Sequence, residues 1–274
     1  MSLPPPKALL FDIGGVCVVS PFQAILDYEL ANNIPPGWVN FSIQRAAPSG
    51  AWQRLERGEA VLDAAFFATF KAELEQPALW DEFWAQQSKL GKVSGAKPPT
   101  PTVAAHDMFW EMMRVSRRPD PWMYPALKKL SASGKFVMGA LSNTVAFPEG
   151  IVDDKGVVFV NELVHDEGEF EGDSRAIRDR FDVFVSSAHV GLRKPDARIY
   201  KLARRELDGE SRRRGLGPVE MGDVLFLDDI GSNLKGAKAV GMRTLRVVLG
   251  ETEKAVKELE GLTGVRLVEE RAKL

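Results

Sequence analysis

Five short, continuously apolar runs, separated by helix-like segments, constrain the fold of this 274-residue chain more than any other feature. Such runs lack the alternation of a half-exposed strand and are typical of parallel strands that are buried on both faces. Segments with helical character lie between them at 124–132, 196–206 and 233–240. This alternation predicts an α/β fold with a Rossmann-like, doubly wound parallel sheet. The runs lie at 7–13, 135–142, 181–187, 223–229 and 242–248.

The chain between the first and second runs has a different character. It is rich in Trp, Phe, Ala and Leu, and residues 22–33 and 62–74 repeat their apolar positions with helical spacing. The sequence therefore predicts a helical subdomain at 20–118, inserted into a core domain formed by 1–19 and 119–274.

Two segments are expected to be irregular. Residues 91–102 are rich in Pro and Gly and predict a loop inside the helical subdomain. Residues 148–174 are acidic and interrupted by Gly, which predicts a surface insertion with a small hairpin.

Composition narrows the class of protein. The formal net charge of −2 favours neither a nucleic-acid nor a membrane partner. A single cysteine, Cys17, excludes an intramolecular disulfide, and the chain shows neither a signal peptide nor an apolar run near 18 residues. We therefore expect a cytoplasmic protein. The oligomeric state stays open.

Polar residues follow four of the apolar runs at or near their ends. They are Asp12, Ser142–Asn143, Lys194 and Asp228–Asp229. In an open parallel sheet, ligands bind at the carboxyl ends of the strands, so one shared site is expected. Taken singly, each pattern also fits an ordinary role: a turn, a helix cap or a surface lysine.

Taken together and in this order, the four patterns resemble those of the haloacid dehalogenase (HAD) superfamily. The segments "RKPDARIYKLA" and "FLDDIGSNLKGAKAVGM" are similar to the N-terminal phosphatase-type domain of soluble epoxide hydrolases. The segments "FDIGGV" and "ETEKAVKELEGLTGVRLV" are similar to the HAD domain of multidomain acyl-CoA dehydrogenase family members. The resemblance implies a HAD core with an inserted helical cap that closes over the site and selects the substrate.

The resemblance also implies a Mg²⁺-dependent phosphatase that acts on a small phosphorylated metabolite. Asp12 would attack phosphorus and form an aspartyl phosphate. Asp12 and Asp229 would bind Mg²⁺ together with the backbone carbonyl of Gly14, while Asp228 would hold a water on the metal or Lys194. Mg²⁺ is usually bound by few carboxylates plus substrate phosphate.

Four further residues complete the expected site. Lys194 would neutralise both Asp12 and the phosphate. The Ser142 hydroxyl and the Asn143 backbone N–H would bind phosphate oxygens. Asn233 is expected to make a structural hydrogen bond in the loop after the fourth run.

One position departs from the HAD phosphatase pattern. The second Asp, which serves as general acid and base in that pattern, is replaced by Gly14. Three functions remain open: a weak or atypical phosphatase, a metal-independent dehalogenase-type hydrolase, and a non-catalytic protein that binds a phosphorylated ligand or a protein. The Asp228–Asp229 pair argues against the dehalogenase, and His189 is a candidate substitute acid.

Overall fold

In the computed structural model, which describes residues 4–159 and 177–268, five parallel strands form one sheet. The strands lie in the order β3-β2-β1-β4-β5. Each strand falls within one of the five predicted runs, so the α/β parallel-sheet prediction is confirmed. The strands are β1 Ala8–Phe11, β2 Val137–Ser142, β3 Val183–Ser186, β4 Val224–Asp228 and β5 Arg243–Arg246.

Both faces of the sheet are covered, which explains why the central strands are apolar up to their carboxyl ends. All residues of β1, β2 and β4 are buried, whereas the edge strands β3 and β5 are partly exposed. Successive residues point to opposite faces. Thus Leu9 and Phe11 belong to one apolar cluster, and Ala8 and Leu10 belong to another.

Eleven α-helices are present in the described residues. The helices predicted at 22–33, 62–74, 124–132, 196–206 and 233–240 correspond to α1, α4, α7, α9 and α10. None of the described helices is long and apolar enough to cross a membrane. The helices are α1 Pro21–Ala31, α2 Trp38–Ala46, α3 Ala51–Glu56, α4 Ala64–Leu74, α5 Pro77–Lys89, α6 Ala105–Val115, α7 Met123–Ser133, α8 Ser187–Val190, α9 Ala197–Arg213, α10 Gly231–Ala239 and α11 Thr252–Thr263.

The chain divides into two compact units. The first contains the sheet and helices α7–α11. The second contains α1–α6, from Pro21 to Val115, and also the described residues 145–159.

Of the two segments predicted to be irregular, residues 91–102 are described in full and residues 148–174 only in part. Residues 91–102 form neither helix nor strand and connect α5 to α6. In the insertion predicted at 148–174, Val152 and Val158 form an isolated antiparallel bridge, and residues 160–174 lie outside the described part.

The second unit has its own apolar core, and Glu29 is the most deeply buried of its described acids. The rings of Trp38, Trp80 and Phe83 pack together, with centroids 5.0–5.7 Å apart. The Glu29 carboxylate in α1 accepts hydrogen bonds from the backbone N–H groups of Gly37 (2.7 Å) and Val39 (2.8 Å). These bonds tie α1 to the first turn of α2, where N–H groups lack partners within the helix.

Gly139 in β2 provides a test of packing against the sheet. A Cβ atom at this position would lie 2.8 Å from Leu207 Cδ2 of α9 and 3.0 Å from Leu10 Cδ1. We expect Gly139→Val to lower the free energy of unfolding by about 1–3 kcal/mol, because the extra atoms overpack a fully buried contact. Urea unfolding measures this loss.

Two variants serve as comparisons. Combining Gly139→Val with Leu207→Ala should cost less than the sum of the two single changes, because alanine makes room for valine. Gly209→Ala, in an open position of α9, should instead stabilise the protein by about 0.5–1 kcal/mol. Strict additivity at 139 and 207 would contradict the packing argument.

Candidate active site

The sheet register brings two acids of the predicted site side by side. Asp12 directly follows β1, and Asp228 is the last residue of β4, the strand that pairs with β1. Phe11 lies opposite Leu227, and the Asp12 backbone N–H donates to the Leu227 carbonyl at 2.8 Å. The two carboxylates therefore meet at the carboxyl end of the sheet.

Lys194 joins these two carboxylates. Its ammonium Nζ lies 2.7 Å from Asp12 Oδ1 and 2.8 Å from Asp228 Oδ2. The Lys194 side chain is only 1% exposed, and that of Asp12 is 8% exposed. A charge buried this deeply is tolerated because it is paired and hydrogen-bonded.

Asp12 uses only one of its oxygens in these contacts. Oδ1 accepts from Lys194 Nζ and from the Ile13 backbone N–H at 2.7 Å. Within the described residues, Oδ2 has no hydrogen-bond donor. An oxygen without donors is available to act as a nucleophile or as a metal ligand.

Both oxygens of the Asp228 carboxylate, in contrast, accept hydrogen bonds. Besides Lys194, it accepts from the Ile230 N–H at 2.7 Å and from Asn233 Nδ2 at 3.1 Å to each oxygen. The expected structural hydrogen bond of Asn233 is confirmed. The Tyr200 hydroxyl donates a hydrogen bond to the Asn233 carbonyl at 2.8 Å. The sequence did not predict this contact, because Tyr200 comes close to Asn233 only in the folded chain.

Asp229 completes a cluster of carboxylates. One oxygen from each of Asp12, Asp228 and Asp229 lies within 4.8 Å of the others. Asp229 Oδ1 is buried and has no hydrogen-bond partner in the described part of the chain. A Cβ at residue 15 would lie only 2.6 Å from Asp229 Oδ2, and φ there is +77°, so the position requires glycine.

The donor set fits a hard divalent cation. Three carboxylates and one ammonium leave a formal charge of −2 in a largely buried site, and one buried carboxylate oxygen has no partner. Oxygen ligands are those that Mg²⁺ prefers. Gly14, whose carbonyl is the third predicted ligand, is half-buried in the loop after β1.

Two of the predicted phosphate-binding residues, Ser142 and Asn143, lie at the carboxyl end of β2. This strand pairs with β1 on the side opposite β4. Ser142 is the last residue of β2 and is buried. The side chain of Asn143 makes two hydrogen bonds with the backbone of Lys194.

His189 is the candidate substitute acid. Its ring is exposed, and Nδ1 lies 2.7 Å from Ser186 Oγ. Among the described contacts, none joins His189 to Asp12, Lys194 or the Asp228–Asp229 pair.

Burial and neighbouring charge shift the acidities of the cluster. Burial raises the pKa of Asp12, and the nearby Asp228 and Asp229 add to this effect, while Lys194 opposes it. Burial and Asp228 raise the pKa of Asp229 to about 6. Burial alone would lower the pKa of Lys194, but Asp12 and Asp228 together raise it, so its ammonium stays charged.

Comparison with curated proteins finds relatives that are much longer than this chain. The chain is 28% identical to mouse acyl-CoA dehydrogenase family member 10 over 261 residues, which cover 95% of this chain and 19% of the relative. It is 38% identical to pig bifunctional epoxide hydrolase 2 over 93 residues, which cover 34% of this chain and 15% of the relative. The chain thus matches less than a fifth of either protein.

Solved structures share the fold. A protein from Porphyromonas gingivalis, described as a predicted HAD-like family hydrolase, is 18% identical, with 93% of this chain and 97% of the other covered and a TM-score of 0.50. A dehalogenase is 17% identical, with 95% and 98% covered and a TM-score of 0.50. No protein-family model matches the chain. The HAD-like fold that the sequence resemblance implies is confirmed.

The raised pKa of Asp229 makes the free energy of unfolding depend on pH. A folded-state pKa of about 6, against an ordinary value of 3.8, penalises folding by about 2–3 kcal/mol at about 1.4 kcal/mol per pKa unit. The penalty is complete above pH 6 and disappears as the pH falls toward 4, because the folded state holds the proton more tightly. We expect Asp229→Asn to stabilise the metal-free protein at pH 8, and less so at pH 5.

Urea unfolding in EDTA at both pH values measures the effect, with the exposed Asp27→Asn in α1 as the control. Added Mg²⁺ should stabilise the wild-type protein at pH 8 but leave Asp229→Asn unchanged. A gain of equal size at pH 8 and pH 5 would show that the Asp229 charge is not its source.

Proposed function

We propose that this chain, which has the fold of HAD-superfamily hydrolases, is a Mg²⁺-dependent phosphatase acting on a small phosphorylated metabolite. The observation that carries the proposal is the charge arrangement at Asp12. Its carboxylate has one oxygen fixed by Lys194 and the other without a donor in the described residues, beside the unpartnered Oδ1 of Asp229. This arrangement supports a nucleophilic carboxylate next to a cation site.

The proposed chemistry proceeds in two steps at Asp12. In the first, Oδ2 forms a bond to phosphorus while the bond from phosphorus to the leaving oxygen breaks, and that oxygen takes its proton from solvent. In the second, water attacks phosphorus, the aspartyl–phosphate bond breaks, and the carboxylate is restored. Splitting the transfer in this way replaces one difficult displacement by two easier ones.

Neighbouring residues would supply the electrostatics. Lys194 orients Asp12 and offsets its charge, and the Ser142 hydroxyl and Asn143 backbone N–H would donate to phosphate oxygens. Asp12, Asp229 and the Gly14 carbonyl would hold Mg²⁺. When bound, Mg²⁺ supplies positive charge that lets a phosphate dianion approach a carboxylate.

Gly14 restricts which phosphates would react well. A general acid is typically worth about 10²–10⁴-fold, and glycine has no proton to give. Aryl phosphates, acyl phosphates and anhydrides have leaving groups that depart as weak bases, whereas alkyl phosphates need protonation. The hydrolysis step also lacks its usual base, so aspartyl phosphate is expected to accumulate.

The first functional test is hydrolysis of p-nitrophenyl phosphate with and without Mg²⁺. We expect turnover that depends on Mg²⁺ and falls to the blank rate in Asp12→Asn, because the amide is not a nucleophile. Asp27→Asn, on the exposed face of α1, should leave the rate unchanged. Turnover that persists in Asp12→Asn would refute the mechanism, and binding of phosphate without turnover on a broad panel would favour the non-catalytic alternative.

The second test restores an acid at position 14. We expect Gly14→Asp to raise kcat/KM for alkyl phosphates by about 10²–10⁴-fold, and for aryl phosphates by much less. Gly14→Asn has the same size without the acid and should help neither. If alkyl and aryl phosphates respond equally to Gly14→Asp, the absence of a general acid does not limit the enzyme.

A further inference from the structure

The Asn143 side chain forms a closed pair of hydrogen bonds with one backbone position. Its Nδ2 donates to the Lys194 carbonyl at 3.2 Å, and its Oδ1 accepts from the Lys194 N–H at 2.8 Å. This orientation of the amide satisfies both bonds, whereas the flipped amide would set donor against donor and acceptor against acceptor. The pair joins residues 51 positions apart in the chain.

The contact matters because of what Lys194 does at its other end. Its ammonium holds Asp12 and Asp228 at 2.7 and 2.8 Å while 1% exposed. A lysine side chain reaches only as far as its four-carbon stem allows, so the position of its backbone limits where the ammonium can rest. Lys194 lies in the loop between α8 and α9, where helical hydrogen bonds do not fix it.

We propose that the Asn143 side chain is a positioning residue that acts on Asp12 through Lys194, and that it is not a ligand of the substrate. Both its polar atoms are already committed to Lys194. The backbone N–H of Asn143 stays available for phosphate, so one residue would serve both functions. The kinetic part of this inference rests on the proposed phosphatase function, but the structural part does not.

The decisive variant is Asn143→Ala, examined with a readout that needs no activity. Reductive methylation with formaldehyde, followed by peptide mass spectrometry, reports how accessible the Lys194 amine is. We expect at least about tenfold faster labelling of Lys194 in Asn143→Ala, since loss of the amide releases the loop. Exposed Lys254 is the internal reference. Asn32→Ala is the matched control, because the described Asn32 side chain and backbone N–H both donate to the Tyr28 carbonyl of α1.

Kinetics provides the second readout. Changing residues that orient a functional group typically costs about 10–100-fold. We expect Asn143→Ala to lower kcat for p-nitrophenyl phosphate by this factor and to change KM less than about threefold. If wild-type protein shows no turnover, the proposed phosphatase fails, while the labelling experiment still decides the role of Asn143.

Two outcomes would overturn the inference. One is labelling of Lys194 at the wild-type rate in Asn143→Ala. The other is a rise in KM at unchanged kcat, which would make the side chain a substrate ligand. If Asn143→Ala fails to fold, Asn143→Asp replaces it: the acceptor for the Lys194 N–H remains and the donor is lost. Labelling faster than wild type then supports the positioning role, and wild-type labelling refutes it.

Discussion

The pairing of one buried ammonium with two buried carboxylates is the interaction on which the site depends. Lys194 neutralises part of the charge that β1 and β4 bring together at their carboxyl ends. Removing one partner from such a buried group typically costs about 3–5 kcal/mol, because a charge is left without compensation. Much of the nearby hydrogen bonding therefore holds this arrangement: Asn233 fixes Asp228, and Asn143 fixes the Lys194 backbone.

Position 14 separates two properties that a phosphatase site normally combines. In the proposed phosphatase, the electrostatics needed to bind and attack a phosphate would lie in Asp12, Lys194 and Asp229, and none of these depends on the side chain of residue 14. Proton transfer to the leaving group does depend on it. A site of this kind is expected to keep much of its affinity for phosphate while its rate varies strongly with the leaving group.

The sequence predicted the sheet, the members of the candidate site and the approach of Lys194 to Asp12, but not the contacts that hold the Lys194 backbone. The central strands can be predicted from the sequence because burial on both faces of the sheet requires continuous apolar runs. The contacts of Asn143 with the Lys194 backbone and of Tyr200 with the Asn233 carbonyl cannot be predicted from the sequence, since only long-range packing brings these residues together. The sequence analysis expected a helical subdomain but did not place α2, α3, α5 and α6 within it. Aromatic residues such as Trp38 and Trp80 pack against one another there, and their positions in the sequence do not follow a regular helical spacing.

The two uncompensated negative charges of the cluster also affect the stability of the folded chain. A cation that binds the folded chain alone adds about 2.7 kcal/mol of stability at a concentration one hundred times its dissociation constant. That is a sizeable share of the 5–15 kcal/mol that holds a typical domain together. If Mg²⁺ binds as proposed, magnesium supply would govern how much folded protein a cell retains, even when no substrate is present.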